Sequence, residues 1–561
     1  MKQSMNGGEA ILHSLKANGI NTVFGLLGGS MLELYDAIYQ DDTVNYIGAR
    51  DERAAAHMAD AYARVTGATG VVLGAQSGPG VANLTTGVIE AHLAYSPLIA
   101  IAGMTTRAHQ GRDTFQEFDQ VSLFKPICKQ SIVVPQVERL PEMLNDAIRL
   151  ANSGRKGPVV LHVPRDLFAD SFAMAAIEPP SPVEGAAPTQ QQIQRILQLL
   201  GQSHAPVIFA GGGLKWAKGS EALQILAQTL QIPVVASTGH ADVMPHDHPL
   251  FAGQAGPRGN SVASGLTANA DLILAIGNRL AFNSTFHSND YISATAKIVQ
   301  IDVEARAIGR YFPVELGIQA DARASTEAIT EAITDSLDLS PTKRNWQEWL
   351  EQFHRDKADL ARQRQQEARD ESMPLLPKRV LGEIRETMPQ DAIVTIDTGN
   401  ACLQAADRLA HYQAPGLITP LDFGLVGFAY AAAIGAQAAA RNRPVIAIMG
   451  DGGFGFTMAE LSTAVAYDLP VIVVVIDNGA WGAEKAYQKE FFGGRLLGAD
   501  ITSPDYAEFA ELCGASGYRA TRAGETAAAL ESALAAGKPA VIHVKVDTEA
   551  LNALRKDLFK K

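Results

Sequence analysis

Met449-Gly450-Asp451-Gly452-Gly453-Phe454 and, with Asn478 lying 27 positions beyond Asp451, Ile476-Asp477-Asn478-Gly479-Ala480 decide how this chain reads. Each stretch closes an apolar run: Val445-Ile446-Ala447-Ile448 before the first, Val471 to Ile476 before the second. Runs this apolar and β-branched predict buried parallel strands. Asp451 and Asn478 then stand at the carboxyl ends of two strands, where open α/β sheets bind ligands. A carboxylate, an amide oxygen and a nearby backbone carbonyl are hard oxygen ligands, suited to Mg²⁺ held against a diphosphate. The glycines let backbone N–H groups approach phosphate oxygens. A bare Gly-Asp-Gly is common in turns, so two ordinary strand-end turns are the alternative at this point.

The chain has 561 residues, long for one core and suited to about three domains. It is 47% hydrophobic and 19% charged, and its formal net charge of −13 argues against nucleic acid or an anionic membrane as partner. Cys128, Cys402 and Cys513 are far apart and form no metal spacing, which fits a reducing cytoplasm. No signal core follows Met1-Lys2-Gln3-Ser4, and no apolar run reaches membrane-spanning length.

Short β-branched runs alternate with helical runs throughout, the α/β pattern. We expect three doubly wound, Rossmann-like parallel-sheet domains at 1–175, 190–338 and 377–561. The small-residue and proline stretch Ala176 to Thr189 reads as a linker. A helical linker is expected at 339–376, where Trp346, Trp349 and Phe353 form a stripe that packs onto a domain surface.

Three motifs mark the first domain. Phe24-Gly25-Leu26-Leu27-Gly28-Gly29-Ser30 is a glycine-rich strand-to-helix turn. Glu52 opens an Ala-rich helix directly after the strand Val44 to Ile47, a placement that the helix dipole alone would favour. Gln76-Ser77-Gly78-Pro79-Gly80-Val81-Ala82-Asn83 follows the strand Gly70 to Leu73, and its glycines permit close approach to a flat ligand.

These motifs, in this order, resemble the pyrimidine-binding domain of thiamine diphosphate enzymes of the acetohydroxyacid synthase superfamily. Thr114-Phe115-Gln116-Glu117-Phe118-Asp119-Gln120 and Gly157 to Asp166 extend the likeness, as does the Asp451/Asn478 spacing, with Asp477 departing from the usual Asn. The resemblance covers essentially the whole chain. It implies that Glu52 activates the cofactor by bonding to N1′ of the aminopyrimidine, with Gln116 as a second catalytic residue. It implies cofactor contacts from Gly28, Ser77, Gly78, Gly399, Asn400, Gly424, Val426, Asp451, Gly452, Gly453, Asn478, Trp481 and Gly482. It also implies Mg²⁺ held by Asp451, Asn478 and the Ala480 carbonyl. Val426 takes the place of the bulky apolar residue that supports the bent cofactor, and is small for it. The cofactor is expected between the first domain of one chain and the third of another, in a homodimer or homotetramer.

The middle domain is expected to serve a structural role, with FAD as the minority alternative. Its Gly211-Gly212-Gly213 is not the dinucleotide fingerprint, and Arg279-Leu280-Ala281-Phe282 replaces the Arg-Phe-Asp-Asp run of flavin-bearing acetolactate synthases. Glu460 and Asp468 read as solvated. Substrate choice is expected from Glu484, Lys485, Tyr487 and Gln488, with a plain helix that leaves Glu484 and Lys485 in water as the alternative.

The expected activity is an acetolactate synthase-like carboligation, a two-carbon acyl or hydroxyethyl unit passing from a 2-oxo acid. The string Trp481-Gly482-Ala483-Glu484-Lys485 instead resembles sulfoacetaldehyde acetyltransferases, which release acetyl phosphate and sulfite. No adjacent His-His pair is present for the proton relay of simple decarboxylases, which favours transfer to a second acceptor. A flavin-linked 2-oxo acid oxidase and a catalytically silent cofactor-binding homologue are the further alternatives.

Overall fold

The computed structural model describes residues 3–174, 183–334, 345–420 and 422–553. Three parallel six-stranded sheets, with helices interleaved, follow one another along the chain. Residues 176–182 of the first expected linker and 339–344 of the helical one fall outside the described residues.

Numbered within each sheet in chain order, the strands of the first and third sheets lie in the same spatial order, 2-1-3-4-6-5. The middle sheet has the order 3-2-1-4-5-6, that of the dinucleotide-binding fold. The shared order makes the outer two units topological copies, a relation the sequence did not display. In each copy the crevice between its first and third strands is the switch point where α/β sheets take ligands. In the first unit those strands are Thr22–Leu26 and Gly70–Gly74; in the third they are Ile393–Ile396 and Val445–Gly450.

The outer units share one core. Helix Glu52–Thr66 is capped by Asp51, whose side chain accepts from the Arg53 N–H, and it ends at left-handed Gly67. It crosses helix Ala429–Ala439, whose residues Ala429 to Gln437 are all buried. A Cβ added at Gly435 would fall on the Met58 carbonyl, so the helices cross at backbone contact. Helix Gln347–Glu367 lies on the middle unit as its aromatic stripe predicts. The indole N–H of Trp346 donates to the Gln231 carbonyl and that of Trp349 to Pro206, both at 3.1 Å, and Phe353 is buried.

Candidate active site

Strands Val445–Gly450 and Ile472–Asp477 pair in parallel with Gly450 opposite Ile476. Asp451 and the pair Asp477-Asn478 therefore leave the sheet side by side. Asp451 begins the helix Asp451–Thr457 and is buried. Its carboxylate accepts from the Ser503 hydroxyl at 3.0 Å, and its carbonyl accepts from the Tyr506 hydroxyl at 2.8 Å. Burial and the nearby Asp477 charge push the Asp451 carboxyl up. Asp477 is stabilised as an anion. Burial would raise it, but His543 Nε2 at 2.6 Å, Lys545 and the Gly479 N–H hold it well below the usual range. The Asp-for-Asn departure thus comes with its own counter-charge. Asn478 is half-buried, and its carboxamide has no hydrogen-bond partner among the described residues. Ala480 is buried and bridges antiparallel to Asp500.

The glycines around these residues outline an open cradle. A Cβ at Gly399, Gly424 or Gly479 would meet nothing nearer than 3.9 Å, and one at Gly450 nothing within 4 Å. Gly453 is closed on one side by Asp397 and lies near Val426, whose Cγ1 would be 3.6 Å from an added Cβ. Gly452 lies under the Trp481 ring. Gly482 approaches the Asn478 amide and Asn400. The structure thus brings Gly399, Asn400, Gly424, Val426, Asp451 to Gly453, Asn478, Trp481 and Gly482 to one strand-end cluster. Asn400 itself donates to the Asn552 carbonyl at 2.8 Å. A diphosphate with a divalent cation fits this set: a helix start without a side-chain cap, open space at Gly450 and Gly479, and hard oxygens from two strand ends. Those oxygens are too few for an octahedron, so phosphate and water would complete it.

A second cluster forms in the first unit. Glu52 is buried, and its carboxylate accepts from Asn83 Nδ2 at 3.0 Å. Its Oε1 would lie 2.7 Å from a Cβ at Gly80, so that glycine leaves room for the carboxylate. Gln116 has φ +65°, a left-handed conformation that costs a non-glycine residue about 1–3 kcal/mol and tends to mark functional positions. Its Oε1 accepts from Gln76 Nε2 at 2.5 Å, and Gln76 Oε1 accepts from the Gly29 N–H. Gly28 packs against the Ala75–Gln76 backbone, and Ser77 Oγ lies 2.5 Å from Ser30 Oγ. Gly78 touches Gln116. Nothing in the local sequence marks Asn83 or Gln76 for a task; their amides come to lie beside Glu52 and Gln116 only in the fold.

Among the described residues, no hydrogen bond or ion pair joins the Glu52 cluster to the Asp451 cluster of the same chain. The two are linked indirectly. Glu460 accepts from the Arg50 N–H at 2.9 Å, Tyr467 Oη from the Gly48 N–H at 2.8 Å, and the Phe456 carbonyl from Arg53 at 3.2 Å. This corrects the reading of Glu460 as solvated: it is buried at the contact between the outer units, where the Arg50 N–H and the Thr463 hydroxyl replace water. Asp468 is exposed, as expected.

Helix Gly482–Phe491 carries the four residues expected to select substrate. Glu484 is exposed and Tyr487 half-buried. Lys485 does not reach water: it is buried and paired with Asp500 at 2.8 Å. The Gln488 carboxamide donates to the Leu497 carbonyl and accepts from its N–H, tying down the following loop.

Sequence comparisons agree with this architecture. The N-terminal TPP binding domain of thiamine pyrophosphate enzymes matches residues 5–123, the central domain 193–329 and the C-terminal TPP binding domain 397–544. The chain is 31% identical to a sulfoacetaldehyde acetyltransferase of Castellaniella defragrans, over 100% of this chain and 96% of the relative. It is 32% identical to the acetolactate synthase isozyme 2 large subunit of Escherichia coli (strain K12), over 97% and 96%. It is also 32% identical to a probable acetolactate synthase large subunit of Methanocaldococcus jannaschii, over 98% and 93%. With all three units matched in order and relatives aligned from end to end, this chain belongs to the thiamine pyrophosphate enzymes.

Proposed function

We propose that this chain is a thiamine diphosphate- and Mg²⁺-dependent transferase that moves a two-carbon unit from a 2-oxo acid to a second acceptor, in the manner of an acetolactate synthase. The observation that carries the reading is the pairing of an open glycine cradle at Asp451 and Asn478 with a buried Glu52 held by Asn83. The cofactor, when bound, supplies an electron sink for the carbon–carbon bond that breaks beside a carbonyl. Asp451, Asn478 and the Ala480 carbonyl hold the cation, while Gly452 and Gly453 offer N–H groups to the diphosphate. Glu52 moves a proton at N1′ of the aminopyrimidine, a task worth roughly 10²–10⁴-fold in rate. Asn83 keeps the carboxylate aimed, and Gln116 is held through the amide of Gln76.

A second copy of the chain would complete the site. Leu27 and Phe115, 62% and 83% exposed, flank the Glu52 cluster and suit burial against such a copy. We read the middle unit as structural. Gly211 and Gly213 are spent on close packing against Gly277, not on a phosphate approach. A cavity of about 910 Å³ lined by Tyr95, Arg155, Trp216 and Asp302 keeps FAD as the minority reading, and a colourless purified protein would count against it.

The second reading is sulfoacetaldehyde acetyltransferase-like, favoured by the full-length relatives of that name and by the Trp481 to Lys485 string. Product analysis separates the two. Pyruvate alone yielding acetolactate and carbon dioxide supports the first. Sulfoacetaldehyde plus phosphate yielding acetyl phosphate and sulfite supports the second. Cofactor binding with turnover of neither, nor of a wider panel of keto acids and aldehydes, would favour a silent homologue.

A further inference from the structure

The loop that carries Gly424 and Val426 is short of internal support. Gly424 and Gly427 both have left-handed backbones, φ +63° and +86°, and they bracket Leu425 and Val426. A residue pair set between two such glycines has soft flanks. The Gly424 N–H reaches the Pro420 carbonyl at 2.9 Å and Leu425 packs against the core, while two carboxylates hold the loop's ends.

One carboxylate is Asp397, buried in the third unit. It accepts from the N–H groups of Gly427 at 2.9 Å and Phe428 at 3.2 Å, fixing the loop's far end. The other is Asp422, at the near end. It is held from the middle unit: Arg279 forms an ion pair with it, and Asn283 Nδ2 donates to it at 2.6 Å. Both pair members are three-quarters buried, so solvent screens the contact weakly. The segment that presents these two donors is unusual. Leu280, Phe286 and His287 all have left-handed backbones, with φ of +54°, +46° and +49°. His287 stacks on Tyr311 at 4.2 Å, Thr238 Oγ1 bonds the Asn283 carbonyl, and Arg279 lies over the Tyr95 ring at 5.2 Å. A strained segment persists only where its surroundings over-determine it, and here the result is a fixed donor pair aimed at one carboxylate.

We propose that Asp422, gripped by Arg279 and Asn283, is a positioning residue that sets where Val426 stands, so that the middle unit fixes the seat of the cofactor's bend. This rests on the proposed thiamine diphosphate reading. It gives the middle unit a part in catalysis without any ligand of its own. It also bears on the small size of Val426: a short side chain can support a bent ligand only if its backbone is held at the right height.

The test uses the full-length protein. In the cofactor-free state, hydrogen–deuterium exchange of the 422–428 amides should quicken about tenfold in Asp422→Asn and in Arg279→Gln. The double variant should exchange no faster than either single one, and Arg279→Lys should stay within about threefold of wild type. With thiamine diphosphate and Mg²⁺ bound, the same variants should slow exchange of the cofactor's C2 proton, whereas Glu52→Gln should slow it with loop protection intact. Unchanged loop exchange in the single variants, or effects that multiply in the double variant, would overturn the anchor. A loosened loop with wild-type C2 exchange would overturn its positioning role. If the protein binds no thiamine diphosphate, the cofactor-free arms still decide the anchor, and the failure belongs to the functional reading. Thermal unfolding of each variant identifies any that fails to fold, for which Asp422→Glu is the substitute.

Discussion

Glu52 and Gly80 show how little tolerance the first cluster has. Glu52→Gln should retain thiamine diphosphate within a few-fold while C2 proton exchange slows by roughly 10²-fold or more. An unchanged exchange rate, followed by proton NMR, would remove Glu52 from the role proposed for it. Gly80→Ala is a sharper probe, because its methyl would press on Glu52 Oε1 and, at 3.1 Å, on Gln76 Cβ. Turnover should drop about 10²-fold through misplacement of the carboxylate, with thermal stability little changed. Across the cradle, Asp451→Ala should abolish Mg²⁺-dependent cofactor retention, measured by gel filtration with and without the metal. Asp397 carries the pH dependence at this scale. Burial pushes its carboxyl up to about 7 against the pull of three backbone N–H groups. A carboxyl raised in the folded state contributes most at low pH, and that contribution is lost as pH climbs from the ordinary carboxylate range towards 7. Asp397→Asn should therefore gain stability relative to the wild-type protein between pH 4 and 7, in chemical denaturation at each pH. A constant difference would show that Asp397 titrates normally.

Among the elements, the crossing of helices Glu52–Thr66 and Ala429–Ala439 matters most. The second is apolar on all sides and buried, the pattern of a helix with no solvent face. Gly435 permits the contact, and Gly435→Val should cost about 1–3 kcal/mol, read from chemical denaturation. Much of this level is legible in the sequence. The apolar run from Val471 to Ile476 reads as an interior strand, and Glu52 before an Ala-rich run reads as a helix start. The aromatic stripe of Trp346, Trp349 and Phe353 likewise named its own buried face. Glu460 was not legible. A glutamate a few residues beyond a glycine-rich turn looks solvated until a second unit brings the Arg50 N–H to it.

At the scale of the whole molecule, the lack of a direct hydrogen bond or ion pair between the two clusters among the described residues makes a prediction about assembly. If each site joins the first unit of one copy to the third unit of another, Glu52→Gln and Asp451→Ala variants should complement when mixed and reassembled. Random pairing into dimers leaves one intact site in half of the pairs, so activity should return to about a quarter of wild type. No recovery, with mixing verified by mass spectrometry, would place each site within a single chain. Among the described residues no helix is long and apolar enough to cross a membrane.

The sequence by itself determined the element types and the three-unit α/β plan, and its motifs around Glu52, Asp451 and Asn478 carried the resemblance that implied the cofactor class. It could do so because strand ends, helix starts and glycine turns are written in local spacing. The tertiary structure alone decided which side chains support those residues. Asn83 on Glu52, Ser503 on Asp451, His543 and Lys545 on Asp477, and Arg279 on Asp422 all act across tens to hundreds of positions. Such contacts exist only once sheets and helices have packed, because hydrogen bonds and ion pairs depend on distance in space and leave no period in the chain.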